Sequence, residues 1–320
     1  MARLALGVDL GGTNARAAVV DMGSGEIVAA HKEPLRDRTP ERVVAHVRHA
    51  VQEATAAAEC GVDECGRAGV GVAGQCLGTT GLVLNAPNLG WRDVPLGAML
   101  EAALGVPVTV ANDLSVAAWG EKKFGAAKGI DDVVLVFVGS GVGSGLILGG
   151  RLHQGAQGLA GEFGHVKVHP IRPTTAARRC GCGEWGCLEA YTSGMNIAAR
   201  VREELAAGAA TLVRDLCGGE PGRVSATLVD DAYTRGDAYA VELWGEVGEL
   251  LGTNMANLVT VLDPARLILG GGVMLGCPGL AALARRRFDE AVSRSALKGL
   301  SVERAWLGDD AGVIGAALLE

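Results

Sequence analysis

The chain has 320 residues, enough for two domains of ordinary size. Its 29 basic and 36 acidic side chains give a formal net charge of −7, which argues against nucleic acid or an anionic membrane as its main partner. Glycine supplies 49 residues without a triplet period, about twice the usual ~7%, while proline and glycine together stay below the low-complexity range, so collagen-like and disordered chains are excluded.

The first ten residues show no secretory pattern. Two windows without charged residues, 133–150 and 267–284, are interrupted by glycines, which favours buried strands and turns over membrane spans. We therefore expect a cytoplasmic protein without a membrane partner. In that compartment its eight cysteines do not form a disulfide scaffold.

The first third of the chain alternates strands and helices. Residues 3–20 contain two apolar runs around Gly11 and Gly12, and a third run follows at 27–31, which predicts strand, turn, strand, loop, strand. The elements predicted after these are a helix over 40–59 capped by Thr39, a strand at 68–73, a glycine-rich loop to Trp91, a helix over about 95–104, and a strand at 107–111. This alternation predicts an α/β domain.

The opening pattern returns in the second half of the chain. A strand at 133–138, the glycine turn GSGVGSG, a strand at 146–148, and a short segment from Leu152 repeat it. The remaining predicted elements are a cysteine-rich loop, helices over 192–216 and 237–262, a strand at 266–269, a glycine turn at 270–272, and a closing helix from Asp310. We predict a duplicated fold with domains 1–112 and 113–304, and expect residues 305–320 to pack back on the first domain.

Glycine turns can present backbone amides to an anion. GSGVGSG matches G-x-G-x-x-G, but no helix follows as a dinucleotide site requires. Asp9 ends a strand before Gly-Gly-Thr, where its carboxylate can hold the water shell of Mg²⁺ and Thr13 can contact a phosphate. The alternative is hairpin turns without a ligand, with Asp9 stabilising its own turn.

Asn112 and Asp113 follow a strand and start a helix. One interpretation is an N-cap. The other is a carboxylate at the carboxyl end of a strand, where α/β sheets bind ligands, which accepts a proton from a hydroxyl group. The sequence leaves both open.

Two further patterns lie between residues 162 and 187. Glu162 and His165, on a glycine-rich loop, can bind a polyol, or the histidine can ligate a metal. Cys180, Cys182 and Cys187 have the spacing of a closed, structural Zn²⁺ site, with His165 or His169 as the fourth ligand. The alternative is three free thiols, which is also what we expect of Cys60 and Cys65.

Seven segments together resemble one family. DLGGTN at 9–14, APNLGW at 86–91, AND at 111–113, GSGVGSGLI at 139–147, GEFGH at 161–165, CGCGEWGCLEAYTS at 180–193 and DDAGVIGAALL at 309–319 resemble the ROK family of sugar kinases, and within it the bacterial glucokinase type. The resemblance implies an α/β, actin-like (ribonuclease H-like) duplicated two-domain fold with the active site in a cleft. The implied activity is ATP-dependent phosphorylation of the 6-hydroxyl of D-glucose.

The resemblance also assigns roles to single positions. Asp113 corresponds to the catalytic base. The sugar-binding positions are Asn88, Asn112, Asp113, Glu162, His165 and Glu189. The phosphate and nucleotide positions are Asp9, Gly11, Gly12, Thr13, Gly139, Ser140, Gly141, Gly143, Gly271 and Gly272, with Mg²⁺ bound together with ATP. The ligands of a structural Zn²⁺ are His165, Cys180, Cys182 and Cys187, and many family members are homodimers.

Several alternatives stay open after the resemblance. The sugar can instead be N-acetylmannosamine, N-acetylglucosamine or fructose, and the phosphate donor can be polyphosphate. Some family members are sugar-responsive repressors, but only eight residues precede Asp9, so we expect no DNA-binding module. A non-catalytic sugar-binding protein is disfavoured by Asp113 and the glycine turns. Ser140 stands where the family commonly has threonine, and the segment 166–179 is longer than usual.

Overall fold

The computed structural model describes residues 3–78, 80–168 and 177–319. The strands in these ranges are β1 (Leu4–Leu10), β2 (Asn14–Asp21), β3 (Ile27–Pro34), β4 (Ala68–Val72), β5 (Gln75–Leu77), β6 (Leu82–Ala86), β7 (Trp91–Val94), β8 (Val108–Asn112), β9 (Val133–Val138), β10 (Val142–Leu148), β11 (Arg151–Leu152), β12 (Arg266–Gly270) and β13 (Ser301–Arg304). The α-helices are α1 (Pro40–Ala57), α2 (Val62–Cys65), α3 (Leu96–Leu104), α4 (Asp113–Phe124), α5 (Glu189–Thr192), α6 (Gly194–Ala206), α7 (Val213–Leu216), α8 (Ala226–Thr234), α9 (Ala238–Leu262), α10 (Gly272–Gly276), α11 (Pro278–Ala291) and α12 (Ala311–Ala317). Among the described residues, no helix combines the length and apolar character needed to span a bilayer.

Two five-stranded sheets have the same strand plan. The first has the order β3-β2-β1-β4-β8, and the second has the order β11-β10-β9-β12-β13. In the first, β1 and β2 are antiparallel, as are β2 and β3, whereas β1, β4 and β8 run parallel. Each sheet therefore begins with a meander of three consecutive strands and adds two later strands on the side of the first. The predicted internal repeat is confirmed at the level of topology.

Several predicted elements differ from the observed ones. The stretch 74–91, expected to be a loop, contributes the three-stranded sheet β5-β6-β7. The glycine turn of the second repeat is shorter than expected, because β10 begins at Val142 and Gly143 is a buried strand residue. The helix α8 and the strand β13 were not expected, whereas α11 contains the residues 285–287 that the sequence predicts to lie on a solvated helix face. Glycines and short apolar runs give weak local signals for these elements, and contacts with distant segments fix their structure.

The chain divides into two compact units by the density of its internal contacts. Unit 1 comprises Met1–Val133, Gly145–Gly161 and Ala305–Glu320, and unit 2 comprises Val134–Ser144 and Glu162–Arg304. Unit 1 thus includes α12, as well as α4 and a segment after Gly145, which the boundary expected at residue 112 assigned to the second domain. The physical reason is that α4 packs directly on α12.

Glycines allow α12 to approach its neighbours at backbone distance. A Cβ on Gly7 of β1 would collide with the Val313 carbonyl, and a Cβ on Gly69 of β4 would collide with the Ala316 carbonyl. Within α12 itself, a Cβ on Gly315 would collide with the carbonyl of Val116 in α4. Part of the glycine excess therefore serves the packing of unit 1 and has no role in a ligand turn.

Candidate functional site

The predicted residues of unit 1 lie at one edge of its sheet. The strands β1, β4 and β8 are parallel, and their last residues align, with Leu10 opposite Val72 and Val72 opposite Asn112. The Asp9–Thr13 turn and the start of α4 therefore lie at the carboxyl ends of β1 and β8, the two strands that flank β4. This is the edge at which open α/β sheets bind their ligands.

Asn112 holds Asp113 in one orientation. The Asn112 Oδ1 accepts hydrogen bonds from the Leu114 and Ser115 N–H groups at 3.0 and 3.1 Å, so the N-cap interpretation is correct. Its Nδ2 donates to the Gly74 carbonyl at 3.2 Å and to Asp113 Oδ1 at 2.9 Å. Asp113 Oδ1 also accepts from the Leu114 N–H at 2.9 Å. The cap and the proton-acceptor interpretations are compatible, because the cap residue itself positions the neighbouring carboxylate.

The turn after β1 packs against the loop that contains Asn88. The Gly11 N–H donates to the Asn14 carbonyl at 3.0 Å and closes the turn. A Cβ on Gly12 would lie 2.9 Å from the Asn88 Cβ, so only glycine fits there without a shift. A phosphate-type turn and a predicted sugar-binding residue are thus adjacent in unit 1.

Burial raises the pKa of Asp9, and the negative charge of Asp309 acts in the same direction. The positive charges of Arg16 and Lys32 partly oppose this effect. Because its surroundings disfavour the ionised form of Asp9, a nearby cation would stabilise that form. This is consistent with a position of Asp9 close to Mg²⁺.

Arg38 is a site-supporting residue that sequence reasoning missed. Its guanidinium donates to the Asn88 carbonyl at 3.2 Å, and its own carbonyl accepts from the Trp91 indole N–H at 2.6 Å. These contacts hold the Asn88 loop at both ends. Arg38 lies in a polar stretch between β3 and α1, and no local pattern there distinguishes it from a solvated arginine.

In unit 2 the predicted phosphate and nucleotide glycines are neighbours. The Gly139 N–H donates to the Gly141 carbonyl at 2.9 Å, and a Cβ on Gly139 would lie 3.7 Å from the Gly272 nitrogen. Gly271 has φ of 90°, a conformation that favours glycine. Ser140 is exposed at the tip of the turn. The turn 139–141 and residues 271–272 therefore form one glycine-lined surface.

Glu189 links this turn to the cysteine cluster. Its Oε2 accepts from the Val142 N–H at 2.9 Å, and its Oε1 lies 3.6 Å from the Cys180 Sγ, which donates to it. A Cβ on Gly141 would lie 2.9 Å from the same Oε2. The carboxylate of Glu189 thus fixes the start of β10 and contacts the cysteine cluster.

Four predicted metal ligands converge in unit 2. One donor atom from each of His165, Cys180, Cys182 and Cys187 lies within 4.8 Å of the others. The Cys180 Sγ is 3.8 Å from His165 Nδ1, and the Cys182 and Cys187 sulfurs are 3.8 Å apart. His169, the other histidine considered, lies outside the described residues. Three sulfurs and one imidazole form the donor set that tetrahedral Zn²⁺ prefers, so these residues fit that ion.

Burial raises the pKa of the Cys180 and Cys187 thiols. Formation of thiolates in this environment therefore requires a cation for compensation. Lys167 was not predicted; its Nζ lies 3.2 Å from the Cys187 Sγ and donates to the Trp185 carbonyl at 2.9 Å. On the other side, Glu162 Oε2 is 3.4 Å from His165 Nε2. A carboxylate behind a ligating histidine fixes the ring and its tautomer.

The repeated strand plan, with a glycine turn after the first strand of each sheet, defines the class of this protein as a duplicated α/β protein of the actin-like fold, as predicted. The chain belongs to the ROK family, whose model matches residues 5–320.

Known proteins that are similar to this chain are consistent with its family assignment. Over 272 residues it is 37% identical to a glucokinase from Streptomyces coelicolor, a match that covers 84% of this chain and 82% of that one. Over 315 residues it is 32% identical to a glucokinase from Halalkalibacterium halodurans, with 98% and 94% covered. The crystal structure of a ROK family glucokinase from Streptomyces griseus, in complex with glucose and AMPPNP, is similar with a TM-score of 0.80, 34% identity and 98% of each chain covered.

Proposed function

We propose that this protein is a glucokinase, which transfers the γ-phosphoryl group of ATP to the 6-hydroxyl of D-glucose and yields glucose 6-phosphate and ADP. The observation that carries the proposal is the Asp113 carboxylate, held by Asn112 and the Leu114 N–H at the carboxyl edge of the sheet. The three relatives described above, all of them glucokinases at 32 to 37% identity over most of the chain, support the same activity.

Asp113 acts as the general base in this proposal. Phosphoryl transfer passes through a loose transition state, so the enzyme mainly positions the nucleophile and neutralises phosphate charge. The Asp113 carboxylate accepts the proton of the 6-hydroxyl as that oxygen attacks phosphorus. Asn112 keeps the carboxylate in place, because its own amide is fixed by the Gly74 carbonyl and the first turn of α4.

The glycine turns supply the phosphate contacts. In unit 1 we assign the turn Gly11–Thr13 to the transferred phosphate, with the Gly12 and Thr13 amides as donors because the Gly11 N–H already closes the turn. Asp9 would hold the water shell of the Mg²⁺ that accompanies ATP. In unit 2 we assign Gly139, Ser140 and Gly141 to phosphate, and Gly271 and Gly272 to the nucleotide. Gly143 is buried inside β10, so we leave it out of the phosphate clamp.

Four polar side chains are assigned to the sugar hydroxyls besides the Asn112–Asp113 pair. Asn88, the carboxylates of Glu162 and Glu189, and the His165 imidazole offer hydrogen-bond partners, and Glu162 Oε2 lies 3.4 Å from His165 Nε2. A polyol bound by such groups needs few aromatic rings, which agrees with the aromatic content of 4%.

His165, Cys180, Cys182 and Cys187 would hold a structural Zn²⁺, which would supply positive charge for the thiolates and cross-link the loop that bears them. Replacement of Cys182 by serine is expected to lower zinc content from about one ion per chain to well below it, because tetrahedral sites need all four ligands. Metal analysis and thermal unfolding of both proteins measure the effect. Cys60→Ser is the matched control, since Cys60 is also half-buried but lies outside the cluster.

Full zinc content in Cys182→Ser, or absence of zinc from wild-type protein prepared without chelators, would contradict the metal assignment. Loss of zinc from Cys60→Ser as well would point to general unfolding, which the melting curves detect separately.

The activity itself is tested with the purified protein, Mg²⁺ and ATP against D-glucose, D-fructose, N-acetylglucosamine and N-acetylmannosamine. The proposal expects the highest kcat/KM with glucose. A higher value with an N-acetylhexosamine or fructose would reassign the substrate within the same chemistry, and polyphosphate in place of ATP tests the donor. No turnover with any sugar would favour a non-catalytic sugar-binding regulator.

The proposal also includes a cytoplasmic homodimer. The three clustered thiols require a reducing compartment to bind a metal, and the family resemblance implies the dimer. Light scattering of the purified protein measures the mass, and a monomer at micromolar concentration would remove this part of the proposal.

A further inference from the structure

Three of the six histidines of the chain gather around a single carboxylate, and none of these four residues has a role in the site described above. His31 and Glu33 lie two residues apart on β3 and share its half-buried face. His46 and His49 lie three residues apart on α1, which packs against that strand. The sequence offers no local signal for this cluster, because residues from a strand and a helix meet only in the fold.

The two carboxylate oxygens of Glu33 have different histidine neighbours. Its Oε2 is 3.4 Å from His31 Nε2 and 3.8 Å from His49 Nε2, whereas its Oε1 is 3.2 Å from His46 Nδ1. The imidazole rings of His31 and His49 have centroids 5.8 Å apart and meet edge to face. One carboxylate oxygen is therefore shared by two imidazoles, and the other is occupied by the third.

We propose that His31, Glu33 and His49 form a second metal site of this protein, which binds a divalent transition-metal ion of the Zn²⁺ type, with His46 orienting the carboxylate. One donor atom from each of the three ligands already lies within 4.8 Å of the others. Two donors on one zinc ion are at most about 4.2 Å apart, so small side-chain rotations complete the site.

The donor chemistry selects the class of ion. Two imidazole nitrogens and one carboxylate oxygen favour Zn²⁺, Ni²⁺, Co²⁺ or Cu²⁺ over Mg²⁺ and Ca²⁺, which prefer oxygen ligands. The His46 contact to the second oxygen has the form of the outer-shell hydrogen bonds that orient ligating carboxylates.

The site remains reachable from solvent. The side chain of His49 is 52% exposed and that of His31 is 35% exposed, while Glu33 is 19% exposed. An ion bound there has room for water at its remaining positions, unlike one bound by the closed cysteine cluster. We therefore expect the second site to exchange its metal rapidly.

Metal binding would cross-link β3 to α1 close to the connection between them. That connection contacts the proposed active site, since the Leu35 N–H donates to the Thr13 carbonyl at 2.8 Å and Arg38 donates to the Asn88 carbonyl at 3.2 Å. An ion that fixes β3 against α1 fixes both ends of this connection. Any effect on phosphoryl transfer rests on the proposed function, whereas the binding site itself does not.

The test counts metal ions bound to the full chain without a histidine tag. After equilibrium dialysis against micromolar free Zn²⁺, we expect wild-type protein to retain one more zinc ion per chain than His31→Ala or His49→Ala. His153→Ala is the matched control, because His153 is an exposed histidine outside the cluster, and it should bind as wild type does. Cys182→Ser should lose the ion of the cysteine cluster and keep the one bound by histidine.

Spectroscopy and stability give independent measurements. Co²⁺ added to zinc-loaded protein should give d–d absorption without a thiolate charge-transfer band, and this signal should be absent from His31→Ala and His49→Ala. Thermal unfolding in EDTA checks that the variants fold as wild type does. Equal metal content in wild type, His31→Ala and His49→Ala, or a Co²⁺ spectrum that the two substitutions leave unchanged, would overturn the proposal. Neither measurement depends on kinase activity.

Discussion

Replacement of Asp113 by asparagine is expected to lower kcat by about 10²- to 10⁴-fold, the usual contribution of a general base. The physical reason is that an amide cannot accept the proton of the sugar hydroxyl. This loss corresponds to about 3 to 5.5 kcal/mol of transition-state stabilisation. The fold should persist, because the asparagine oxygen can still accept the hydrogen bonds that Asn112 and the Leu114 N–H now donate to Asp113 Oδ1.

Steady-state kinetics with glucose and ATP measure the effect, and glucose binding by calorimetry shows that the site is intact. Asp237→Asn is the matched control, since Asp237 is also an acidic residue at a helix start, where its carboxylate accepts from the Ala240 N–H. We expect Asp237→Asn to retain wild-type kcat. A kcat for Asp113→Asn within a few-fold of wild type would contradict the assignment of the base.

The second large effect concerns the packing of α12. Gly315→Ala is expected to destabilise unit 1 by about 1 to 3 kcal/mol, the usual range for overpacking. A Cβ at this position collides with the Val116 carbonyl of α4, and backbone cannot move aside as a flexible side chain can. Gly245→Ala in α9 is expected to stabilise the protein instead. It has no atom within 4 Å of the new Cβ, so the helix gains the roughly 0.5 to 1 kcal/mol by which alanine exceeds glycine.

Hydrogen exchange of the α12 amides and urea unfolding measure both variants. Gly315→Ala should accelerate exchange in α12 and lower the unfolding midpoint, whereas Gly245→Ala should leave α12 unchanged and raise the midpoint slightly. Equal stability of the two variants would show that α4 and α12 are less closely packed than the structure describes.

Much of the site followed from local chemistry in the sequence. Asp9 before Gly-Gly-Thr and Asp113 after an apolar run were placed correctly at strand ends, because apolar periodicity and turn residues act over a few neighbours. The cysteine spacing at 180–187 predicted the cluster, with His165 or His169 as the fourth member and His165 chosen by the family resemblance, and the structure brings His165 to the three cysteines. The repeat of strand, glycine turn and strand predicted the duplicated plan.

Contacts between distant segments could not be predicted from the local sequence pattern. The sheet β5-β6-β7 was taken for a loop, since its strands have three to five residues and no alternation to mark them. Asn88 was assigned to the sugar by resemblance alone, and its contact with Gly12 depends on how two loops meet.

The sequence by itself determined the family, the α/β class, the repeat and the chemical groups of the site, because motifs and periodicity are local. Only the tertiary structure decided what distant residues do together. Some of the glycines that composition alone assigns to turns instead allow α12 to pack closely against the sheet. Three histidines that have no local signal in the sequence meet at Glu33. The physical reason is that packing distances and shared hydrogen-bond acceptors exist only after strands and helices from separate segments come into contact.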